Sequence, residues 1–209
     1  ESRGLGDVYK RQIKHPTWKM GKKISIDSST LINKVYELIE AKKIFELDYN
    51  KFEIIIQPTS YIHGVVVFKN GFCKILSHST SMKIPIYNSL SFNKKISKIS
   101  ESFDFEKMNN LNFQKIDNKK FPVFEILRKL TNNDSLYETV LVTANDVLVE
   151  LFLKKKIKFY DIYKILNRIL DLKEYKKYKI LKPKNLNQIN KLSKNVRLKT
   201  LTLSVQSRV

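Results

Sequence analysis

Residues 15–45 read HPTWKMGKKISIDSSTLINKVYELIEAKKIF, and the rest of the chain is organised around this stretch. Its first part belongs to a loop over residues 13–22, which proline and glycine punctuate. The short run 23–26 has β-prone character. A helix is then predicted over residues 28–45, because an aspartate and Ser28 are favoured residues at a helix start. The stretch therefore predicts a loop, a short extended segment and a long amphipathic helix.

The polar face of the predicted helix carries an amide, an ammonium and a carboxylate within one and a half turns. Asn33 and Glu37 are four residues apart, and Lys34 and Glu37 are three apart, so all three side chains can reach one ligand. The alternative is a solvated face with a weak Lys–Glu pair, and residue types alone favour it. Thr30 shares this face, and the opposite apolar face gathers Leu31, Ile32, Val35, Leu38 and Ile39.

A second candidate site lies between two predicted strands, in the segment QPTSYIHG. Ser60 and His63 stand three residues apart at the end of the buried-strand run 52–56, which indicates a ligand-binding corner. A catalytic Ser–His pair is a weaker hypothesis, since no third orienting partner is visible. Beyond this loop, Asn70-Gly71 predicts a β-hairpin, and Cys73 within it is expected to be a buried small hydrophobe.

Composition restricts the classes of protein to which this chain can belong. The 209 residues contain no apolar run near the roughly 20 residues of a membrane helix. A single cysteine suits a reducing compartment, so a cytoplasmic location is expected. The net charge of +20 suggests a lysine-rich nucleic-acid-binding module. Arginine nevertheless supplies only six of the 40 basic residues, which favours a compositional habit of the genome over phosphate recognition.

The pattern of elements predicts an α+β chain, in which part of a mixed α/β catalytic domain with a small sheet precedes an α-helical bundle domain. Residues 1–12 have no helical or strand period and are interpreted as a disordered or non-native leader. Residues 13–92 form the predicted catalytic domain, residues 93–120 a polar linker, and residues 121–209 the helical domain. The basic segment 173–209 is expected to be irregular or loosely packed.

Six segments together resemble one enzyme family, 1-deoxy-D-xylulose 5-phosphate reductoisomerase, over roughly residues 13–175. The resemblance implies an NADPH-dependent enzyme that uses Mg²⁺ or Mn²⁺ to make 2-C-methyl-D-erythritol 4-phosphate in non-mevalonate isoprenoid biosynthesis. The segments are HPTWKMGKKISIDSSTLINK, ELIEAKKIF, QPTSYIHG, SMKIPI, FPVFEILRKL and TANDVLVELFLKKKIKFYDI.

The resemblance implies that the first loop is a flap, which closes over the substrate. From residue type alone, Trp18 was equally well explained by core packing or by a mobile lid. By resemblance, His15 touches the substrate, while Trp18 and Met20 belong to the covering flap. Gly21 is expected to lie against the nicotinamide cofactor, NADPH.

The resemblance also assigns the polar face of the helix to the substrate and the metal. Ser28, Asn33 and Lys34 match positions that bind the substrate, chiefly its phosphate. Glu37 matches a substrate-binding position and one of three acidic ligands of the divalent metal. Ser60 and His63 match a second loop lining the same pocket.

The chain differs from the family at two positions, and it lacks two features that the family has. Gln57 stands where the family usually has histidine, and Val35 stands where it commonly has glycine. The family's dinucleotide-binding domain and its other two metal carboxylates, expected upstream of His15, are not found. The resemblance therefore implies a C-terminal fragment that is inactive alone. It implies a homodimer for the full-length enzyme, and it argues against membrane or nucleic-acid partners.

Overall fold

The computed structural model describes residues 21–91, 104–109, 111–117 and 121–206. Contacts between Cα atoms divide these residues into two compact units. The helical unit contains residues 21–53 and the described residues from 117 onward, and the sheet unit contains the described residues of 54–116. Together they form an α+β chain of mostly helices with small sheets, which confirms the predicted fold class.

Eight α-helices, three short 3-10 helices and four strands occur in the described part of the chain. The helices are α1 Lys22–Thr30, α2 Ile32–Phe45, α3 Lys83–Leu90, α4 Glu106–Asn109, α5 Tyr137–Leu153, α6 Phe159–Leu170, α7 Lys173–Lys176 and α8 Leu186–Gln206. The 3-10 segments are Tyr49–Lys51, Pro122–Lys129 and Lys177–Lys179, and the strands are β1 Ile55–Ile56, β2 Ile62–Val67, β3 Cys73–Ser77 and β4 Gln114–Lys115.

The decisive stretch forms two helices where a β-prone run and one helix were predicted. The prediction for residues 23–26 was wrong, because burial of Ile26 against α5 outweighs a weak strand propensity. The predicted single helix is broken at Leu31, which adopts a left-handed conformation with φ 60°. The Leu31 N–H bonds to the Ser28 carbonyl at 3.1 Å, so α1 ends in a tight turn and α2 starts anew.

The core of the helical unit forms around α5, which packs against α6 and α8. Residues 121–206 are mostly helical, and their first segment, Pro122–Lys129, is a 3-10 helix. The expectation of loose structure after residue 173 was wrong. Leu192, Val196 and Leu203 recur at helical spacing within α8 and are buried, an apolar stripe that the surrounding lysines conceal in the sequence.

The sheet unit contains the predicted hairpin, β2 paired antiparallel with β3. Gly71 has φ +89° in its turn, a conformation that side chains disfavour. The predicted strand 52–56 is reduced to β1, which pairs with β4. Cys73 is exposed, contrary to prediction, because this two-stranded sheet has few covering layers within the described chain.

Pro85 lies in the first turn of α3. A proline is tolerated there because the N–H groups of the first turn have no partner within the helix. None of the helices in the described residues combines the length and the apolar character that a bilayer crossing requires.

Candidate active site

The break at Leu31 creates a new helix start in the middle of the predicted site. Ser28 was expected beside a helix N-terminus, but it lies in the last turn of α1. Asn33 and Lys34 instead occupy the first turn of α2, which begins at Ile32. First-turn N–H groups and the helix dipole attract anions. The break therefore places an anion-attracting backbone beside the predicted phosphate-binding side chains.

Ser28 differs from the other hydroxyl residues of α1. Ser25, Ser29 and Thr30 donate to backbone carbonyls one turn earlier, over 2.7–3.2 Å. Within the described chain the Ser28 hydroxyl forms no hydrogen bond, and the residue is half-buried. The Ser28 hydroxyl is thus available to donate to a ligand.

Asn33, Lys34 and Glu37 come together as their spacing predicted. The Lys34 Nζ atom lies 2.7 Å from Glu37 Oε2, and Asn33 Nδ2 lies 3.5 Å from Glu37 Oε1. The side chains of Lys34 and Glu37 are 41% and 53% exposed, so their ion pair stays accessible to a ligand. The Asn33 Oδ1 atom is buried and accepts no hydrogen bond from the described residues. An unpaired buried acceptor is costly, and a donor on a ligand would satisfy it.

A divalent cation needs more ligands than the described residues supply. Mg²⁺ is held by about six oxygen atoms in octahedral geometry. No group of three acidic, histidine or cysteine side chains that could hold a metal occurs in residues 21–91, 104–109, 111–117 and 121–206. Glu37 alone offers one exposed carboxylate, which is fewer ligands than such a cation requires.

Packing within the described chain does not require the glycine at position 21. A Cβ atom added there would meet no heavy atom within 4 Å, and Gly21 has an extended backbone. A ligand or another segment that closely approaches the backbone at position 21 would explain why this residue is glycine. His15, Trp18 and Met20, the predicted flap residues, lie outside the described residues.

Gln57 organises the loop that carries Ser60 in the sheet unit. Its Oε1 atom accepts a hydrogen bond from the Tyr61 N–H at 2.8 Å, and its Nε2 atom donates to Thr59 Oγ1 at 2.6 Å. Ser60 has φ 53°, a conformation that is uncommon for a residue with a side chain. The residue that departs from the family pattern is therefore a hydrogen-bonding centre of this loop.

His63 contacts a second histidine, His78, which no local sequence pattern connects with it. The rings of His63 and His78 stack with centroids 3.6 Å apart and planes 8° apart. The His63 Nε2 atom also lies 3.2 Å from the His78 carbonyl oxygen. The hairpin register pairs Ile62 with Ser77 and thereby brings the two histidines together. The register shifts between Ile62 and Gly64, so a register extended from the predicted turn would place His63 opposite Ser77 and would not reveal the stacking with His78.

A buried polar cluster between α1 and α5 was also missed. Asn145 Nδ2 donates to Asp27 Oδ1 at 2.9 Å, and Lys23 Nζ lies 2.8 Å from Asp27 Oδ2 and 2.9 Å from Asp146 Oδ1. Burial raises the pKa of the Asp27 carboxyl, while Lys23 and Asn145 act in the opposite direction. Asp27 and Asn145 are 118 residues apart, so no local signal connects them.

Lysines of the helical unit take part in several ion pairs, and they lie on α1, α2 and α8, in the 3-10 helix Pro122–Lys129 and directly after α5. The pairs include Lys23–Asp27, Lys34–Glu37, Lys43–Glu138, Lys129–Asp171, Lys154–Glu150 and Lys199–Glu174.

Comparisons with known sequences find one family along most of the chain. Residues 78–199 match the profile of the DXP reductoisomerase C-terminal domain. Residues 5–45 match that of the 1-deoxy-D-xylulose 5-phosphate reductoisomerase C-terminal domain. The chain is 52% identical over 196 residues to the reductoisomerase of Pelagibacter ubique, covering 94% of this chain and 50% of the relative. For the Zymomonas mobilis enzyme the identity is 38%, covering 77% and 42%.

Solved structures of the same enzymes share this fold. A DOX-P reductoisomerase in complex with NADPH, fosmidomycin and magnesium superposes with a TM-score of 0.86 at 31% identity, covering 95% of this chain and 49% of the other. The Zymomonas mobilis enzyme in complex with NADPH gives a TM-score of 0.77 at 32% identity, covering 94% and 49%. The chain thus spans about half the length of the relatives it matches.

Proposed function

This chain belongs to the 1-deoxy-D-xylulose 5-phosphate reductoisomerase family, as a C-terminal portion of it, and we propose that it supplies the substrate-binding wall of such an enzyme. The complete enzyme would convert 1-deoxy-D-xylulose 5-phosphate to 2-C-methyl-D-erythritol 4-phosphate for isoprenoid biosynthesis. NADPH and a divalent cation, Mg²⁺ or Mn²⁺, would be its cofactors. The NADPH and magnesium complexes of structurally similar reductoisomerases support this choice.

Ser28, Asn33 and Lys34 bind the phosphate of the substrate in this proposal. The Ser28 hydroxyl, which has no hydrogen bond within the described chain, and the Lys34 ammonium are donors to an anion, and the N-terminal end of the α2 dipole adds a favourable field. A phosphate arriving at Lys34 would compete with Glu37 for its ammonium. Substrate binding would in that way release the Glu37 carboxylate for other contacts.

Glu37 contributes one carboxylate to the metal and also contacts the substrate. When bound, the cation would act as a Lewis acid on substrate oxygens, and NADPH would supply the hydride. Because α2 carries both Lys34 and Glu37, the phosphate and the metal would be held at a fixed separation by one rigid helix.

The remaining predicted residues complete the pocket. His15 would contact the substrate, and Trp18 and Met20 would close over it and exclude water from the reacting groups. Gly21 would allow the nicotinamide to approach the backbone. Ser60 and His63 would line the pocket from a second loop, and the complete enzyme would be a homodimer.

The observation that carries this proposal is the Asn33–Lys34–Glu37 cluster at the start of α2, and Glu37→Gln tests it. The variant is made in a hybrid that places this chain behind the N-terminal half of the Pelagibacter ubique relative. Loss of a metal ligand should lower kcat/KM by more than about 100-fold, because even outer-shell changes cost 10–100-fold.

Glu40→Gln is the matched control, since Glu40 is another exposed glutamate on the same helix as Glu37. It should leave NADPH-dependent turnover within about twofold of the unsubstituted hybrid. Equal, metal-dependent activity of the two variants would refute the role of Glu37. An inactive unsubstituted hybrid would refute the proposed reaction.

A further inference from the structure

The helix α1 is attached to its neighbours in an unusual way. Its backbone does not continue into α2, because Leu31 in the left-handed conformation interrupts the helical hydrogen bonding. Its buried residues are Ser25, Ile26 and Asp27, so the apolar anchorage is one isoleucine. A single aliphatic contact does not fix the rotation of a helix about its axis, because the hydrophobic effect is non-directional. The orientation of α1, and with it the direction of Ser28, therefore needs another support.

The buried polar cluster supplies that support. Asp27 is 4% exposed and Asn145 fully buried, and their 2.9 Å hydrogen bond joins α1 directly to α5. Lys23, on the same face of α1 one turn earlier, contacts Asp27 and reaches Asp146 of α5. The Lys23 Nζ atom also lies 5.8 Å from the centroid of the Tyr36 ring, on α2. The cluster thus connects α1, α2 and α5 through directional contacts.

Stability alone does not account for such a cluster. Buried ion pairs often contribute no more than apolar side chains of similar volume, because desolvation offsets their attraction. Directional hydrogen bonds instead select one arrangement of the helices. Asp27 directly precedes Ser28, and successive side chains point about 100° apart around a helix. Holding Asp27 against α5 consequently keeps Ser28 turned away from the core.

We propose that Asp27 and Asn145 are positioning residues, which fix the rotation of α1 so that Ser28 faces the same phosphate as Asn33 and Lys34. This inference rests on the proposed function, since it concerns the substrate phosphate. Neither residue touches the substrate. Their effect is transmitted through Ser28, so they should influence binding of the phosphate more than the chemical step.

The first test is Asp27→Asn in the hybrid enzyme defined above. The exchange replaces the carboxylate that pairs with Lys23 and accepts from Asn145 with a neutral amide, so the charge attraction within the cluster is lost. KM for the sugar phosphate should rise at least 10-fold, as for other residues that orient a ligand-binding group, while kcat changes less than threefold. The Kd of inorganic phosphate, measured by titration calorimetry, should rise in parallel.

A rescue variant separates positioning from general destabilisation. The double exchange Asp27→Asn with Asn145→Asp restores a donor and an acceptor and keeps the net charge, and Lys23 still reaches Asp146. It should return KM to within threefold of the original value. Asp146→Asn, at a half-exposed position, is the milder variant if Asp27→Asn does not fold, and it should raise KM two- to fivefold.

Tyr175→Phe is the structural control. It removes a hydrogen bond from a buried tyrosine hydroxyl to Asn195 Oδ1, 2.9 Å away on α8, far along the chain from α1 and α2. It should lower Tm without changing KM. If Asp27→Asn behaves like this control, with lower Tm but unchanged KM and phosphate affinity, the positioning role is wrong. Lack of turnover by the unsubstituted hybrid would overturn the proposed function instead, and phosphate affinity would still decide the role of Asp27.

Discussion

Two residues with side chains in the left-handed conformation delimit α2, Leu31 before it and Glu46 after it. This conformation costs an L-residue roughly 1–2 kcal/mol. Leu31 is half-buried and packs against the core, so its burial offsets the cost. Glu46 is exposed and has no such compensation. The strained backbone at Leu31 is thus compensated by burial and starts the helix that carries the site. The strained backbone at Glu46 has no compensating burial.

Glu46→Gly should therefore stabilise the chain by about 0.5–1 kcal/mol, because glycine adopts positive φ freely. Removing a negative charge from the C-terminal end of α2 adds to the gain. Urea unfolding followed by far-UV circular dichroism measures the change. Glu40→Gly, at an exposed interior position of the same helix, should lower the free energy of unfolding by about 1 kcal/mol. A loss of stability in both variants would contradict this account of Glu46.

Among the elements, α8 departs most from what its composition suggested. Its 21 residues include three lysines and one arginine, yet its buried stripe packs along α5. Polar contacts reinforce the packing: the hydroxyls of Thr143 and Ser193 are 3.1 Å apart, and Arg197 pairs with Glu150. The helix therefore contributes to the same core as α5 and α6.

Leu192→Ala and Leu198→Ala make the same change on two faces of α8. Leu192 is 5% exposed, so its truncation leaves a cavity and should cost about 2–5 kcal/mol. Leu198 is 68% exposed, and its truncation should change the free energy of unfolding by no more than about 0.5 kcal/mol. Equal small effects in urea unfolding would mean that α8 is loosely packed.

At the scale of the whole molecule, the chain spans about half the length of the relatives it matches. Glu37 is one carboxylate, and the described residues contain no group that could complete a metal site. Family resemblance implies that the other carboxylates and the dinucleotide-binding domain lie in the half of the relatives that this chain does not span. The chain by itself would thus hold the substrate phosphate without carrying out chemistry.

The 209-residue chain alone should show no NADPH oxidation with 1-deoxy-D-xylulose 5-phosphate and Mg²⁺, whereas the hybrid enzyme should oxidise NADPH. The loss of absorbance of NADPH measures both. The N-terminal half of the relative, assayed alone, is the control and should also be inactive. Metal-dependent turnover by the 209-residue chain would show that it contains a complete site.

Local patterns in the sequence determined much of the fold and of the site. The hairpin followed from Asn70-Gly71, because few dipeptides allow its tight turn. The contact of Asn33, Lys34 and Glu37 followed from their spacing, because it depends only on helix geometry.

Only the tertiary structure decided the features that depend on distant partners. Leu31 breaks the helix because α1 and α2 must both bury residues in one core, which no local propensity reveals. The buried apolar stripe of α8 packs against α5. Asp27 accepts a hydrogen bond from Asn145, which lies 118 residues later in the chain. Local geometry sets which side chains share one face of a helix. Packing between distant segments sets where that face begins, how it is turned and what holds it there.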